Sequence, residues 1–508
     1  MGRRTAEIVS REPPGCGIAI AAPGWNDGGP STEGEGLAEK TTSRSLAAVV
    51  LAAGKGKRLK SSSPKVLHPV CGRPVLWHTL QAVKAARPTT IVIVVSHGAA
   101  EVTEAVKSWG IKPAPVFVDQ GKPLGTGHAV LAAERAVGEV DDVLVANGDF
   151  DPVRSEDVRA LVSMHRRRHA AATLLSTILR DPGGYGRVVR DGPRVVDVVE
   201  GIDAGPEVRR IDEVATNWVA IRRDLLFATL PVLDRNNKQR EYYLNRAISI
   251  LIAKGEQVEA LLADTGGTLG INTRGGLAEL AKLLRRRINE RHMTKGVTLV
   301  DPDTTYIDVD VKIGADTMIQ PNTFLRGATV IGAACEIGPS VSIVDSRVGD
   351  RSTVTFATME ETRIGRDVEV GPFARLRGGT KLADGAKVGS YVEIKGSTIG
   401  ERSKVPHLSY VGDAAIGKDV NVGAGAITAN WDGYGKHRTS IGDGARIGSD
   451  TMLVAPVRVG KGGVTGAGSV VSKDVPAGAL AVERSEQKNV KGYRARKDAE
   501  HRGKRGGH

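Results

Sequence analysis

A six-residue rhythm in the second half of the chain constrains its fold more than any other feature. Ile307, Ile313, Ile319, Leu325, Ile331, Ile337 and Ile343 follow one another at that spacing without a miss. In a shifted phase it resumes at Ile364, Val370, Leu376, Leu382, Val388 and Ile394, then at Ile399, Val405 and Val411, at Ile416 and Val422, and at Ile441, Ile447, Leu453 and Val459. A period of six fits neither the 3.6-residue helix nor the two-residue strand. It is the mark of a hexapeptide β-helix. The aliphatic side chain of each short strand fills the interior. The glycine that often follows, as in Ile313-Gly314, Ile337-Gly338 and Ile447-Gly448, helps the chain turn a corner. With aromatics at 4% and 63 glycines, the composition suits such a coil better than a sandwich packed on rings. The repeat stops at Val482, and the basic tail beyond it is expected to fray.

The first half has another texture. Residues 1–44, rich in Gly, Pro, Ser and charge, read as a disordered extension. From Ser45 onward, apolar runs at Leu46–Leu51, Ile91–Val95 and Val143–Ala146 alternate with helical patterns at Trp77–Ala86 and His128–Ala136. Such alternation predicts βαβ units in a largely parallel, Rossmann-like α/β sheet, with its site at the carboxyl ends of the strands. Leu277, Leu280, Leu284 and Ile288 then recur at helical spacing. The expected organisation is an extension at 1–44, a nucleotide-handling domain at 45–275, a linker helix at 276–295, a β-helix at 296–484 and a basic tail at 485–508. No apolar run approaches the roughly 20 residues of a membrane span, so no integral membrane segment is expected. Cys16, Cys71 and Cys335 lie far apart, with neither disulfide nor zinc-ligand spacing, which fits a reducing cytoplasm. Lys+Arg 71 against Asp+Glu 58 gives a charge of +13, equally compatible with nucleic acid and with phosphorylated small molecules.

Three motifs favour the small molecules. Leu51-Ala-Ala-Gly-Lys-Gly-Lys-Arg58 follows a strand and is joined by Pro64-Lys65. Its glycines let backbone N–H groups approach phosphate, while Arg58 and Lys65 can neutralise charge. Gln120–His128, QGKPLGTGH, can wrap a nucleobase through backbone groups and the Thr126 hydroxyl. Asn147-Gly148-Asp149 ends a strand with a carboxylate suited to a hard cation such as Mg²⁺. In the β-helix, His407 and Tyr410 interrupt the small-residue pattern at PHLSY. A histidine near neutral pKa is a natural general base for an amine nucleophile.

The front half resembles the sugar-phosphate nucleotidyltransferases. With the β-helix behind it, the chain over residues 45–490 closely resembles the bifunctional N-acetylglucosamine-1-phosphate uridylyltransferase/glucosamine-1-phosphate acetyltransferase family. The resemblance implies a nucleotidyltransferase domain followed by a left-handed parallel β-helix, assembled as a homotrimer in the cytoplasm. It implies that Leu51, Ala52, Gly54, Gln120, Gly125 and Thr126 hold the uridine of UTP, together with Asn147 and Gly148. Arg58 and Lys65 would face the phosphates, Asp149 and Asn272 would hold Mg²⁺, and Gly186, Glu200 and Asn272 would meet the sugar. In the β-helix it implies His407 as base, supported by Glu393. Arg377 and Lys395 would grip the phosphate of glucosamine-1-phosphate, and Tyr410 and Asn421 would place the sugar. Asn430 would help position the substrates, Ser449 would contact the thioester carbonyl, and Ala424, Trp431, Ala467 and Arg484 would join them in contacting acetyl-CoA. The product N-acetylglucosamine-1-phosphate would pass to the front domain. No nucleic-acid partner is implied.

The chain departs from the family pattern at three points. Lys57 stands on the phosphate loop where the family has Thr. Ala215 stands where the family has a sugar-binding Asn, so that contact is either lost or taken over by Asn217. Trp431 follows Asn430 where the family has Tyr. Two other functions compete with this reading. One is a monofunctional nucleotidyltransferase with an oligomerising β-helix. The other is a structural or nucleic-acid-binding solenoid, which leaves LAAGKGKRL, LGTGH and NGD unexplained.

Overall fold

The computed structural model describes residues 44–149, 153–264 and 270–505. All but the last residue of the expected disordered extension lies outside them, as does the side chain of Lys57.

The front sheet has nine strands: β1 (Leu46–Leu51), β2 (Thr90–Val95), β3 (Val116–Asp119), β4 (Asp142–Asn147), β5 (Ala172–Ile178), β6 (Arg187–Asp191), β7 (Arg194–Val199), β8 (Glu213–Arg222) and β9 (Val258–Leu262). Their order is β9-β5-β8-β4-β1-β2-β3, with β6 and β7 attached to β8 as a hairpin. Every residue of β1 is buried, as a strand covered on both faces requires. Strands β1, β2 and β4 run parallel, and β8 alone inserts antiparallel between β4 and β5. Because β1 is flanked by β2 on one side and β4 on the other, the connections leaving β1 and β4 diverge. A crevice opens at their carboxyl ends. Helices α1 (Val75–Lys84), α2 (Thr126–Ala132), α3 (Ser155–Arg167) and α4 (Leu244–Ala253) pack around the sheet.

Helix α5 (Arg274–Met293) links the halves. It starts two residues before the expected boundary because the Thr273 hydroxyl accepts the Gly276 N–H at 3.1 Å and caps it. The helix is not the only junction. A hairpin of Pro69–Val70 and Arg73–Pro74 reaches the first coil of the β-helix, where Val309 N–H donates to the Cys71 carbonyl at 3.0 Å and Arg73 pairs with Asp310 at 2.5 Å. Gly72 (φ +84°) lies so close that a Cβ there would stand 2.6 Å from the Asp308 carboxyl.

Beyond it, each coil contributes one short strand to each of three parallel sheets of 11, 10 and 9 strands. Aliphatics stack in columns, as in Ile307–Leu325–Ile343–Met359. Nearly all are fully buried, and each such side chain contributes about 1.5–3 kcal/mol. Residues at the corners take a left-handed conformation, commonly Gly, Asp or Asn, for which this is cheapest. One column of corners instead carries Phe356, Phe373, Tyr391 and Leu408 at φ +43° to +58°. Phe356 and Phe373 tilt against each other at 5.4 Å between centroids, Phe373 and Tyr391 stack at 5.2 Å, and all four side chains are exposed. The terminal segment expected to fray forms α6 (Tyr493–Arg505), with an Arg494–Asp498 pair one turn apart at 3.0 Å.

Candidate active sites

The crevice of the front sheet gathers the residues that the sequence singled out. Gly148 N–H bonds the Leu51 carbonyl at 2.9 Å, which joins the turns after β4 and β1. The buried Lys65 ammonium lies 2.5 Å from Asp149 Oδ2 and 2.9 Å from Asn272 Oδ1. Three residues remote in sequence thus converge on one point. Two hard oxygen donors meet there, already facing a positive charge, a donor set that suits Mg²⁺ with its remaining positions left for water and phosphate. Among the described residues, no group of three or more His, Cys, Asp or Glu could hold a metal. Any cation here would therefore draw ligands from its substrate. Arg58 is exposed at the mouth.

The nucleobase loop is held from two sides. Gln120 Nε2 donates to the Gly125 carbonyl at 3.0 Å, and Thr126 Oγ1 accepts the Leu244 N–H at 3.0 Å. Gly125 (φ +118°) allows a Cβ only 2.5 Å from the Tyr242 carbonyl, so no other residue fits. Tyr185, in the Gly184-Tyr185-Gly186-Arg187 run of the sequence, borders the same point. Burial and the neighbouring Asp149 push its hydroxyl up to about 12, and a Cβ on Gly270 would stand 3.2 Å from that hydroxyl.

At the sugar end, the Ala215 N–H bonds the Gly186 carbonyl at 2.9 Å. Glu200, pushed above the usual carboxylate range by burial, accepts from Asn245 Nδ2 at 2.8 Å. Asn245 was missed, although one buried amide in the apolar helix LNRAISILIA was a signal. Asn217 lies elsewhere. Between Ala215↔Ser176 and Val219↔Leu174, β8 advances twice as far as β5, and Asn217 (φ +57°) rides on that bulge.

The β-helix residues fall into two groups. On one sheet, Arg377 Nη1 donates to Glu393 Oε1 at 2.8 Å, and Glu393 is in register with Tyr410. Asn430 Nδ2 bonds Asp413 Oδ2 at 2.6 Å. Lys395 is held below its usual value by Lys436 and then Arg377, a concentration of cations suited to an anion. Asn430 opens a loop carrying the exposed Trp431, closed by His437 on Asp432 at 2.6 Å. Asp432 is pulled down to about 2 by the Gly435 and Tyr434 amides and by His437. Around a corner, His407 sits in register with Ser390, while Asn421 lies one coil above Lys404. Within the chain Glu393 is occupied by Arg377, and no hydrogen bond joins it to His407; the two lie on different sheets. A corner column continues from His407. Its carbonyl accepts from Gly425, that of Ala424 from Asp450, that of Ser449 from Gly468 and that of Ala467 from Arg484 Nη1. The four steps span about 19 Å at the usual strand spacing.

Residues 48–242 match the MobA-like NTP transferase domain family. The protein from Carboxydothermus hydrogenoformans named bifunctional protein GlmU is 45% identical over 447 residues, 88% of this chain and 99% of that relative. Its namesake from Heliobacterium modesticaldum is 46% identical over 89% of this chain and 98% of its own length. That from Listeria monocytogenes serotype 4a is 44% identical over 88% and 97%.

Proposed function

Because the chain belongs to the family of the bifunctional protein GlmU, we infer that it makes UDP-N-acetylglucosamine by two reactions in separate halves. The β-helix acetylates glucosamine-1-phosphate from acetyl-CoA. The front domain joins the product to UMP from UTP and releases pyrophosphate. The observation that carries this is the extent of the match, which runs through both halves and nearly the whole of each relative.

In the front site, the phosphate oxygen of N-acetylglucosamine-1-phosphate attacks the α-phosphorus of UTP as the bond to pyrophosphate breaks. Positioning and charge neutralisation supply most of the catalysis in such transfers. Lys65, already buried beside Asp149 and Asn272, is the fixed positive charge that meets the phosphates, and Arg58 at the mouth adds another. Asp149 and Asn272 would hold Mg²⁺, which would supply further neutralisation of the phosphates. Leu51, Ala52, Gly54, Gln120, Gly125, Thr126, Asn147 and Gly148 form the uridine cradle.

In the β-helix, His407 takes the proton of the 2-amino group as its nitrogen attacks the thioester carbonyl and the C–S bond breaks. Arg377 and Lys395 bind the sugar phosphate, with Tyr410, Asn421 and Asn430 around the ring. Ala424, Ser449, Ala467 and Arg484 follow His407 along a single corner, which supports a role in lining the extended donor, with Trp431 beside it. We assign the exposed Phe356, Phe373, Tyr391 and Leu408 to the contact between copies in a homotrimer. Large side chains at positive φ are costly, and burial against another copy offsets that cost. No helix among the described residues is long and apolar enough to cross a membrane, compatible with a cytoplasmic enzyme.

Two assays of the purified protein test this function. One supplies UTP with N-acetylglucosamine-1-phosphate, the other acetyl-CoA with glucosamine-1-phosphate. Both should give product. Uridylyl transfer alone would establish the monofunctional alternative, and neither reaction would overturn the reading.

A further inference from the structure

We propose that Asn245, on the first turn of α4, supplies the amide that Ala215 lacks and reads a hydrogen-bond donor on the sugar. The inference rests on the front domain's being a sugar-phosphate uridylyltransferase.

Gly186 is the pivot. The Ala215 N–H is bonded to its carbonyl at 2.9 Å, so position 215 lies directly against Gly186. Asn245 approaches the same glycine from α4: a Cβ on Gly186 would stand 2.7 Å from Asn245 Nδ2 and 3.8 Å from Glu200 Oε2. An amide, a carboxylate and a bare glycine therefore meet at one place. Glycine at 186 leaves room for Asn245, and any larger residue would displace it.

The orientation of Asn245 follows from its partner. Asn245 Nδ2 donates to Glu200 Oε1 at 2.8 Å, so its NH₂ is the group turned toward that carboxyl. Its carbonyl oxygen is left as an acceptor with no hydrogen bond to a described residue. Asn245 is 4% exposed, which fixes that oxygen in place on a helix rather than on a loop. An acceptor held this way recognises an N–H or O–H on the ring substituents, from either the 2-acetamido group or a hydroxyl. Asn217 does not compete. It rides on the β8 bulge in a left-handed conformation and makes no hydrogen bond to Gly186, Glu200 or Asn245.

The test uses the full chain with Asn245→Ala, Asn245→Asp and Asn217→Ala. Both Asn245 variants should raise KM for N-acetylglucosamine-1-phosphate about ten-fold or more, the usual range for a lost buried polar contact. KM for UTP, and acetyl transfer by the β-helix, should not move. Asn217→Ala should match the wild type. In Asn245→Asp two carboxylates face each other, so its KM should fall again toward acid pH as the pair takes up a proton, which a purely structural residue would not show. Comparing N-acetylglucosamine-1-phosphate with glucose-1-phosphate separates the two donors. A penalty confined to the former assigns the acetamido N–H, and an equal penalty on both assigns a hydroxyl. Calorimetric binding of N-acetylglucosamine-1-phosphate to each variant repeats the comparison without turnover. An unchanged KM and binding in Asn245→Ala, or an equal loss in Asn217→Ala, overturns the inference while leaving the enzyme's activity established. A wild type that neither turns over nor binds the sugar phosphate overturns the functional reading and this inference with it.

Discussion

At the scale of single residues, the front site turns on a lysine between two oxygens. Asp149→Asn keeps the shape of that point and removes its negative charge, and His407→Ala removes the proposed base in the other half. Asp149→Asn should abolish most uridylyl transfer and leave acetyl transfer intact. His407→Ala should do the reverse, by about 10²–10⁴-fold, the usual contribution of a positioned base. Paired steady-state assays read both losses. Wild-type acetyl transfer in His407→Ala would make His407 a structural member of its coil. Lys65 and Asp149 were legible in the sequence because each lies beside a turn with a recognisable pattern, whereas Tyr185 and Asn272 were legible only as members of an ordered family set. Asn245 was not legible. It reaches the site only because α4 packs against β7 and brings its amide to Glu200, and no local spacing records such an approach.

At the scale of elements, the β-helix was legible because one period governs it from end to end. Its corners show what that period means: two residues of strand, a left-handed turn residue, and then the next side. The terminal helix α6 was not legible. Its sequence, YRARKDAEHRGKR, has no apolar face, and pairs such as Arg494–Asp498 support it at the surface. In α5 the helix hides an anomaly that its pattern gave no hint of. His292 is buried near its end with both ring nitrogens lacking a hydrogen-bond partner. Burial, then Arg291 and Lys295, push it down to about 4. Below the ordinary 6.5 the unfolded chain gains a proton that the folded chain refuses until about 4. Stability from this residue is therefore complete above 6.5 and falls as the pH drops toward 4. His292→Leu should flatten that part of the pH profile, measured as the thermal midpoint between pH 7 and 4.5. A variant that loses stability in parallel with the wild type would place the effect elsewhere.

At the scale of the whole molecule, the two halves meet at the 69–74 hairpin as well as along α5. The hairpin begins only four residues after Lys65, so the lysine buried beside Asp149 is tethered close to the β-helix. Gly72→Ala should strain a left-handed position and press on Asp308, at a cost of about 1–3 kcal/mol. The thermal midpoint should fall, and uridylyl transfer should suffer more than acetyl transfer. Equal losses would mean that the seam serves only stability. This contact was hidden from the sequence, since nothing in Val70-Cys71-Gly72-Arg73 specifies a partner more than two hundred residues away.

The corner column from His407 to Arg484 makes the back of the molecule a ruler. Its graduations are coils, each of the same rise, and the distance from His407 to the far guanidinium is a count rather than an accident of loop shape. If the column lines the donor as proposed, it would measure the donor as well as bind it: the thioester would fall at the His407 mark when the rest of the molecule runs the column's length. Shortened donors such as acetyl-pantetheine should still react at the zero mark, with KM raised and kcat much less affected. A full-length donor given to Arg484→Ala should show the same pattern in weaker form. If truncation lowered kcat and left KM alone, the column would not be gauging the donor.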